Sequence, residues 1–113
     1  MTPLEILRSA RARIEKPGSW TQGTERRDEL GNAVFLRGVK FQSCCAVGAI
    51  RFAAGEDAYA RFGEASASAA MIFRYANGIE SIPTWNDFPW RTHADVLAAF
   101  DRAIACAEKE ATQ

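Results

Sequence analysis

One apolar segment near the middle of the chain, residues 43–55, constrains the fold more than any other feature of the sequence. It reads Ser-Cys-Cys-Ala-Val-Gly-Ala-Ile-Arg-Phe-Ala-Ala-Gly and carries a single charge, at Arg51. The segment is shorter than the roughly 18 apolar residues that a membrane-spanning helix requires. It therefore predicts a helix buried in the middle of a soluble domain, with Ser43 as the N-cap and Gly55 as the C-terminal stop.

Length and composition predict one globular domain that spans residues 1–113. Apolar residues make up 48% of the chain and charged residues 25%, which is typical of a folded protein and argues against disorder. The 14 Lys and Arg side chains balance the 14 Asp and Glu side chains. The net charge therefore gives no reason to expect nucleic acid or an anionic membrane as a partner.

Cysteine usage predicts a reducing compartment. The chain has three cysteines, an odd number, and two of them are adjacent, so no secreted disulfide framework is visible. The apolar residues after Met1 are periodic and interrupted by charge, unlike those of a signal peptide. We therefore expect a cytoplasmic protein.

The N-terminal residues carry a complete helix start. Residues 2–5, Thr-Pro-Leu-Glu, combine an N-cap, a proline at the first helical position and a capping-box glutamate. The helix is expected to end near Lys16, because Pro17 and Gly18 break it. The following segment, 19–31, has no apolar period and is predicted to be a loop that packs Trp20 onto the core.

Two more helices are predicted after the central one. Asp57 is the expected N-cap of the third helix, and residues 77–78 (Asn-Gly) are its expected end. The alternative is that Gly63 divides this segment into two helices. Thr92 and Asp95 have the spacing of a capping box and begin the last helix. Its apolar residues follow at helical spacing up to residue 107.

The remaining segments carry weaker signals. Residues 33–42 have a weak apolar alternation around Arg37 and Gly38, which fits either a minor β-hairpin or an irregular segment. Residues 79–91 are rich in aromatic residues and proline and are predicted to be a loop. The predicted class is all-α, a compact bundle of four to five helices with long tryptophan-bearing loops.

A thiol and an imidazole are the first candidates for chemistry. Cys44 and Cys45 lie at the start of the central helix, where unpaired N–H groups and the helix dipole favour the reactive thiolate. His93 lies in the first turn of the last helix, and Asn86 or Asp87 could orient its ring. The competing interpretation is that the cysteines are buried core residues and that the histidine is structural.

The aromatic loop is the second candidate, as a recognition surface. Tryptophan and arginine are over-represented at binding hot spots, and the candidate binding residues are Trp85, Phe88, Trp90 and Arg91, with Trp20 from the earlier loop. The structural alternative is that these rings fill the core and that the polar residues beside them satisfy backbone groups in turns.

Several motifs with a defined chemistry are absent from the sequence. There is no glycine-rich phosphate loop, no Cys-x-x-Cys and no His-Glu-x-x-His. Adjacent cysteines make a poor pair of zinc ligands, and Cys106 is distant from them in sequence. We therefore predict neither a cofactor nor a metal site.

Several short motifs follow one another in a fixed order along residues 20–104. They are Trp20-x-x-Gly23, Asp28, Gly31, Cys45-x-x-Gly48-Ala49-Ile50, Ile82-x-x-Trp85-Asn86-Asp87 and Thr92-His93-x-x-Val96-Leu97-x-x-Phe100-Asp101-x-Ala103-Ile104. This order resembles a family of small bacterial and phage proteins, a domain of unknown function marked by a Trp-Asn-Asp motif. The resemblance brings no activity; it implies a stand-alone intracellular protein with an interaction or host-modulating role.

The sequence thus leaves three functional hypotheses. The first is a small non-catalytic binding or regulatory protein, whose expected partner is another protein, with a small-molecule ligand as the alternative. The second is a thiol hydrolase or transferase that uses Cys44 or Cys45 with His93. The third, nucleic-acid binding through the arginines of the first helix, has the least support because the chain is neutral and lacks a recognition helix.

Overall fold

Five helices and one short antiparallel strand pair make up the described part of the chain. The computed structural model describes residues 1–36 and 38–112. The helices are α1 (Pro3–Arg13), α2 (Ala46–Ala53), α3 (Glu64–Asn77), α4 (Ile82–Asn86) and α5 (His93–Ala111). The strands β1 (Arg26–Arg27) and β2 (Ser43–Cys44) pair with Arg26 opposite Cys44. The predicted helical class with a minor hairpin is confirmed.

The first and last helices begin where the sequence predicts, because their capping boxes are local. The Thr2 hydroxyl accepts from the Glu5 amide at 3.1 Å, and the Glu5 carboxylate accepts from the Thr2 amide at 2.9 Å. Thr92 and Asp95 repeat this arrangement at 3.1 and 3.0 Å. Each box satisfies two N–H groups that the helix itself leaves unpaired.

The central helix is shorter than predicted, and Ser43 is not its N-cap. Cys45 caps α2, and its sulfur accepts from the Gly48 amide at 3.3 Å. The backbone before it is extended because it pairs with the preceding loop: the Cys44 amide donates to the Ser19 carbonyl, and the Cys45 amide donates to the Glu25 carbonyl, both at 3.0 Å. This pairing brings residues 43–44 into a strand.

The third helix begins at Glu64, so the prediction that Asp57 caps it is wrong. Gly63 is the N-cap, and its amide donates to the Glu56 carboxylate at 3.0 Å. The residues before it are not helical, and Tyr59 has a positive φ of 59°, which a helix does not contain. The helix ends as predicted, with Gly78 in the left-handed conformation at φ 63°.

Two segments that were predicted to be loops contain regular structure. Residues 79–91 include α4, where Ser81 is the N-cap and Pro83 lies in the first turn. The loop at 19–31 contains β1. The strand pair flanks residues 33–42 instead of lying within them: no strand forms at 33–36 or 38–42, and the predicted turn residue Arg37 lies outside the described residues.

Helix α2 lies at the centre of the core, as its apolar sequence predicts. Its first five residues, 46–50, are all buried. Helix α1 packs against α2 and α5, and α3 packs against α5. Small residues on α3 and α5, including Ala69 and Ala99, are fully buried and allow a close approach of the two helices. The rings of Phe73 and Phe100 meet edge to face at 4.8 Å within this contact.

At Gly48, α2 closely approaches the residue before β1. A Cβ atom added here would lie 2.3 Å from the Glu25 carbonyl oxygen and 3.1 Å from the Cys44 Cβ. Only glycine therefore fits at this position of the helix. The contact positions the loop that carries Trp20 against the N-terminus of α2.

In the described ranges, no helix is both long enough and apolar enough to cross a membrane.

Candidate functional site

Asn86 is the centre of a buried polar cluster that joins three segments of the chain. Its Oδ1 accepts from the Trp20 indole N–H at 2.7 Å and from the Ala46 amide at 3.0 Å. Its Nδ2 donates to the Thr21 carbonyl at 3.1 Å and to the Asp87 carboxylate at 3.0 Å. Both acceptor sites and both donor hydrogens of the amide are thus occupied. The side chain is fully buried, and these four hydrogen bonds offset the free-energy cost of burying its polar amide.

The end of α4 and the loop around Trp20 are joined by further bonds. The Asp87 carboxylate accepts from the Gly23 amide at 3.0 Å. The Gln22 side-chain amide donates to the carbonyls of Asn86 and Phe88, both at 2.9 Å. Gln22 was not among the predicted site residues. The sequence signal that could have found this loop is Gly23, which adopts a φ of 85°.

The two cysteines at the start of α2 are buried, and burial determines their protonation. Cys44 is 0% exposed and Cys45 is 5% exposed. Burial raises the pKa of Cys44 to about 12 and the pKa of Cys45 to about 11, although the hydrogen bond from Gly48 opposes the rise at Cys45. The predicted lowering of the thiol pKa is therefore wrong, because desolvation outweighs the helix N-terminus. Both groups are neutral thiols at physiological pH.

The imidazole of His93 is held by two contacts. It stacks on the Trp20 indole with 5.9 Å between ring centroids and 20° between planes. Its Nε2 bonds to the Ile14 carbonyl; since a carbonyl only accepts, Nε2 carries the hydrogen. Nε2 is thus a donor to Ile14, the C-cap of α1. These contacts fix the start of α5 against the end of α1.

The structure therefore brings four of the predicted site residues into one connected cluster. Trp20, Asn86 and Asp87 are joined by hydrogen bonds, and His93 stacks on Trp20. Cys45 is the chain neighbour of Ala46, whose amide bonds to Asn86. Within this cluster, the Asn86 side chain and the Trp20 indole N–H are fully partnered by the protein. The arrangement holds the two loops and the helix starts of α2 and α5 together.

Of the remaining predicted binding residues, two are half-buried and two are exposed. Trp85 is half-buried and meets Phe73 edge to face at 5.6 Å. Arg91 lies over the Trp85 ring at 4.2 Å and donates to the Trp85 carbonyl at 2.9 Å. Phe88 and Trp90 lie at the surface, 46% and 78% exposed, with their rings 5.2 Å apart. We call these last two residues the exposed aromatic pair.

The described residues offer no obvious metal centre, since no three His, Cys, Asp or Glu side chains are grouped to bind an ion.

Comparison with known proteins identifies the family of the chain. A model described as a family of unknown function (DUF6197) matches residues 1–105, and the chain belongs to this family. This finding confirms the family-level resemblance that the sequence motifs indicated. No curated protein and no solved structure matches the chain.

Proposed function

We propose that this member of a family without an assigned activity is a non-catalytic binding module, and that the exposed aromatic pair contacts a partner protein. The observation that carries the proposal is the exposure of Trp90, 78% of whose surface is open to solvent. A tryptophan contributes little to folding at such a position, because it removes little apolar area from water. Tryptophan is also a residue type on which interfaces commonly depend.

The backbone that carries the pair is held rigidly. Gln22 donates to the Phe88 carbonyl, and the Arg91 amide donates to the same carbonyl at 2.9 Å. Arg91, which directly follows Trp90, is fixed to α4 because its guanidinium donates to the Trp85 carbonyl. Pre-organisation of this kind lowers the entropic cost of binding. It supports an interface that exists before the partner arrives.

The state of the cysteines supports the non-catalytic part of the proposal. A nucleophilic cysteine needs a thiolate and a base within hydrogen-bond reach. Burial raises the pKa values of both Cys44 and Cys45, which disfavours the thiolate. The free state of all three described cysteines supports a reducing compartment, and we place the binding function in the cytoplasm.

The test is partner capture with single substitutions at matched exposed aromatic residues. Trp90→Ala should change the free energy of unfolding by less than about 0.5 kcal/mol, as is usual at exposed positions. It should reduce retention of the captured protein at least about tenfold. Tyr75→Ala is the control, because Tyr75 is 81% exposed and lies on α3.

Retention that is unchanged by Trp90→Ala, or lost equally with Tyr75→Ala, would contradict the proposed surface. Failure of the parent protein to retain any partner would remove the proposal altogether.

A further inference from the structure

A cavity separate from the polar cluster and the exposed aromatic pair lies beside the end of α1. Its volume is about 460 Å³, which is within the range of small-molecule sites. Its walls come from the segment 38–41, the turn 55–57, α2 and β1. The side chains that the argument uses are Arg13, Arg26, Lys40, Phe41, Phe52 and Glu56.

Two arginines share one phenylalanine ring at this cavity. The guanidinium carbon of Arg13 lies 4.4 Å from the centroid of Phe41, and that of Arg26 lies 4.8 Å from it. Arg13 also donates to the Phe41 carbonyl at 2.8 Å, which fixes its side chain against the cavity wall. Two like charges held near one ring repel each other, and the ring compensates them only in part.

Neither arginine has a carboxylate partner among the described residues. Other arginines of the chain do have such partners: Arg8 pairs with Glu108, Arg11 with Asp101 and Arg51 with Glu25. Arg26 is only 7% exposed, and its Nε–H is buried without a hydrogen-bond partner in the described part of the chain. Burial lowers the pKa of this guanidinium. Its Nη2 donates to the Glu56 carbonyl, and Glu25 and Asp57 act on it electrostatically, so the Nε–H is the group on this guanidinium that is buried without a partner among the described residues.

Two acidic residues of the turn also line the cavity, Glu56 and Asp57. The Glu56 carboxylate accepts from the Gly63 amide and the Ser66 hydroxyl, and lies 4.0 Å from the Arg51 guanidinium. Its Oε2 is thus engaged on the side of α3, whereas its Oε1 is buried without a hydrogen-bond partner in the described part of the chain. The exposed Lys40 adds a third positive charge to the cavity wall.

We propose that this cavity binds a small aromatic anion, with its carboxylate or phosphate at Arg13 and Arg26 and its ring against Phe52. Guanidinium groups bind carboxylate and phosphate through paired N–H groups and bind them more strongly when water is excluded. The edge-to-face contact of Phe41 and Phe52 at 5.1 Å provides the apolar wall. The site is independent of the exposed aromatic pair, so either proposal can hold without the other.

Benzoate is the probe, and benzamide is the neutral control of the same shape. Titration of isotope-labelled protein followed by NMR should shift the amide signals of Val39, Phe41 and Phe52 with benzoate in a saturable manner. Benzamide should bind at least about tenfold more weakly, since it lacks the charge. Signals of the exposed aromatic pair should not move.

Substitutions locate the anion. Arg13→Met should weaken benzoate binding about tenfold, whereas Arg8→Met, on the same helix but paired with Glu108, should leave it unchanged. Lys40→Gln removes an exposed charge and should weaken binding about threefold without affecting folding. If Arg13→Met does not fold, the benzoate affinity of Lys40→Gln still tests the proposal.

Three results would overturn the proposal. They are an absence of saturable shifts with benzoate, equal affinity for benzamide, and unchanged benzoate affinity in both Lys40→Gln and a folded Arg13→Met variant.

Discussion

Replacement of Asn86 by alanine tests the polar cluster most severely, because this one side chain makes four hydrogen bonds. The substitution removes the acceptor of the Trp20 indole N–H and of the Ala46 amide. It also removes the donor to the Thr21 carbonyl and to the Asp87 carboxylate. The backbone of α4 can remain helical, since alanine is a good helix former.

The expected loss of stability depends on which former hydrogen-bond partners of Asn86 can bond to water instead. Ala46 is 0% exposed, and Trp20 is half-buried, so each donor left unpaired costs about 1–3 kcal/mol. Asp87 is exposed and can bond to water instead. We therefore expect the free energy of unfolding to fall by roughly 3–4 kcal/mol. This is a large share of the roughly 5–15 kcal/mol that stabilises a typical domain.

Urea unfolding followed by circular dichroism at the helix band measures this loss. Asn32→Ala is the matched control, because it removes the same atoms from an exposed side chain and should cost less than about 0.5 kcal/mol. A loss for Asn86→Ala that is no larger than that of Asn32→Ala would refute the structural role of the cluster.

Two further predictions concern α2. Gly48→Ala should lower the unfolding free energy by more than about 2 kcal/mol in urea titrations, because the new Cβ would lie 2.3 Å from the Glu25 carbonyl oxygen; a gain in stability, as expected for alanine in an open helix, would contradict this close approach. The raised pKa values of Cys44 and Cys45, about 12 and about 11 against an ordinary value of 9.0, predict alkaline instability. The unfolded chain releases these protons first, so the contribution of the buried thiols is complete below pH 9.0 and is lost as the pH rises toward the folded values. The urea midpoint of the parent should fall more steeply above that pH than the midpoint of Cys45→Ala, and equal slopes would contradict the pKa assignment.

Features that depend on near neighbours in sequence were predictable. The capping boxes of Thr2 and Thr92 each need one partner three residues away, so the starts of α1 and α5 follow from the sequence. The end of α3 at Gly78 follows for the same reason. Helix α4 was not predicted, although the sequence carries a signal for it. Ser81 followed by Pro83 is a normal helix start.

Features that depend on distant pairing were not predictable. Ser43 is of the residue type preferred at an N-cap, but Cys45 caps α2 because β1 pairs with residues 43–44 and keeps them extended. The bond between Trp20 and Asn86 joins residues 66 positions apart. The sequence indicated both residues, but their contact exists only in the folded chain.

Which aromatic residues are exposed could not be predicted from the sequence either. Trp85 and Trp90 are five residues apart in an aromatic segment, and nothing in the sequence distinguishes a buried from an exposed position for either. In the structure Trp85 packs on Phe73 from α3, whereas Trp90 lies beyond the end of α4 and points to solvent. The burial of Cys44 and Cys45 was likewise not predictable, since their amides bond to the distant residues Ser19 and Glu25.

We propose that Cys44 and Cys45 are core and capping groups and not nucleophiles. The rate of alkylation of each cysteine in the native protein, from about pH 6 to about pH 10, tests it directly. We predict that half-buried Cys106 reacts first, and that Cys44 and Cys45 react only as the protein unfolds. Fast labelling of either residue, with a midpoint well below about 8.5 and lost in His93→Ala, would contradict the claim and indicate a thiol enzyme.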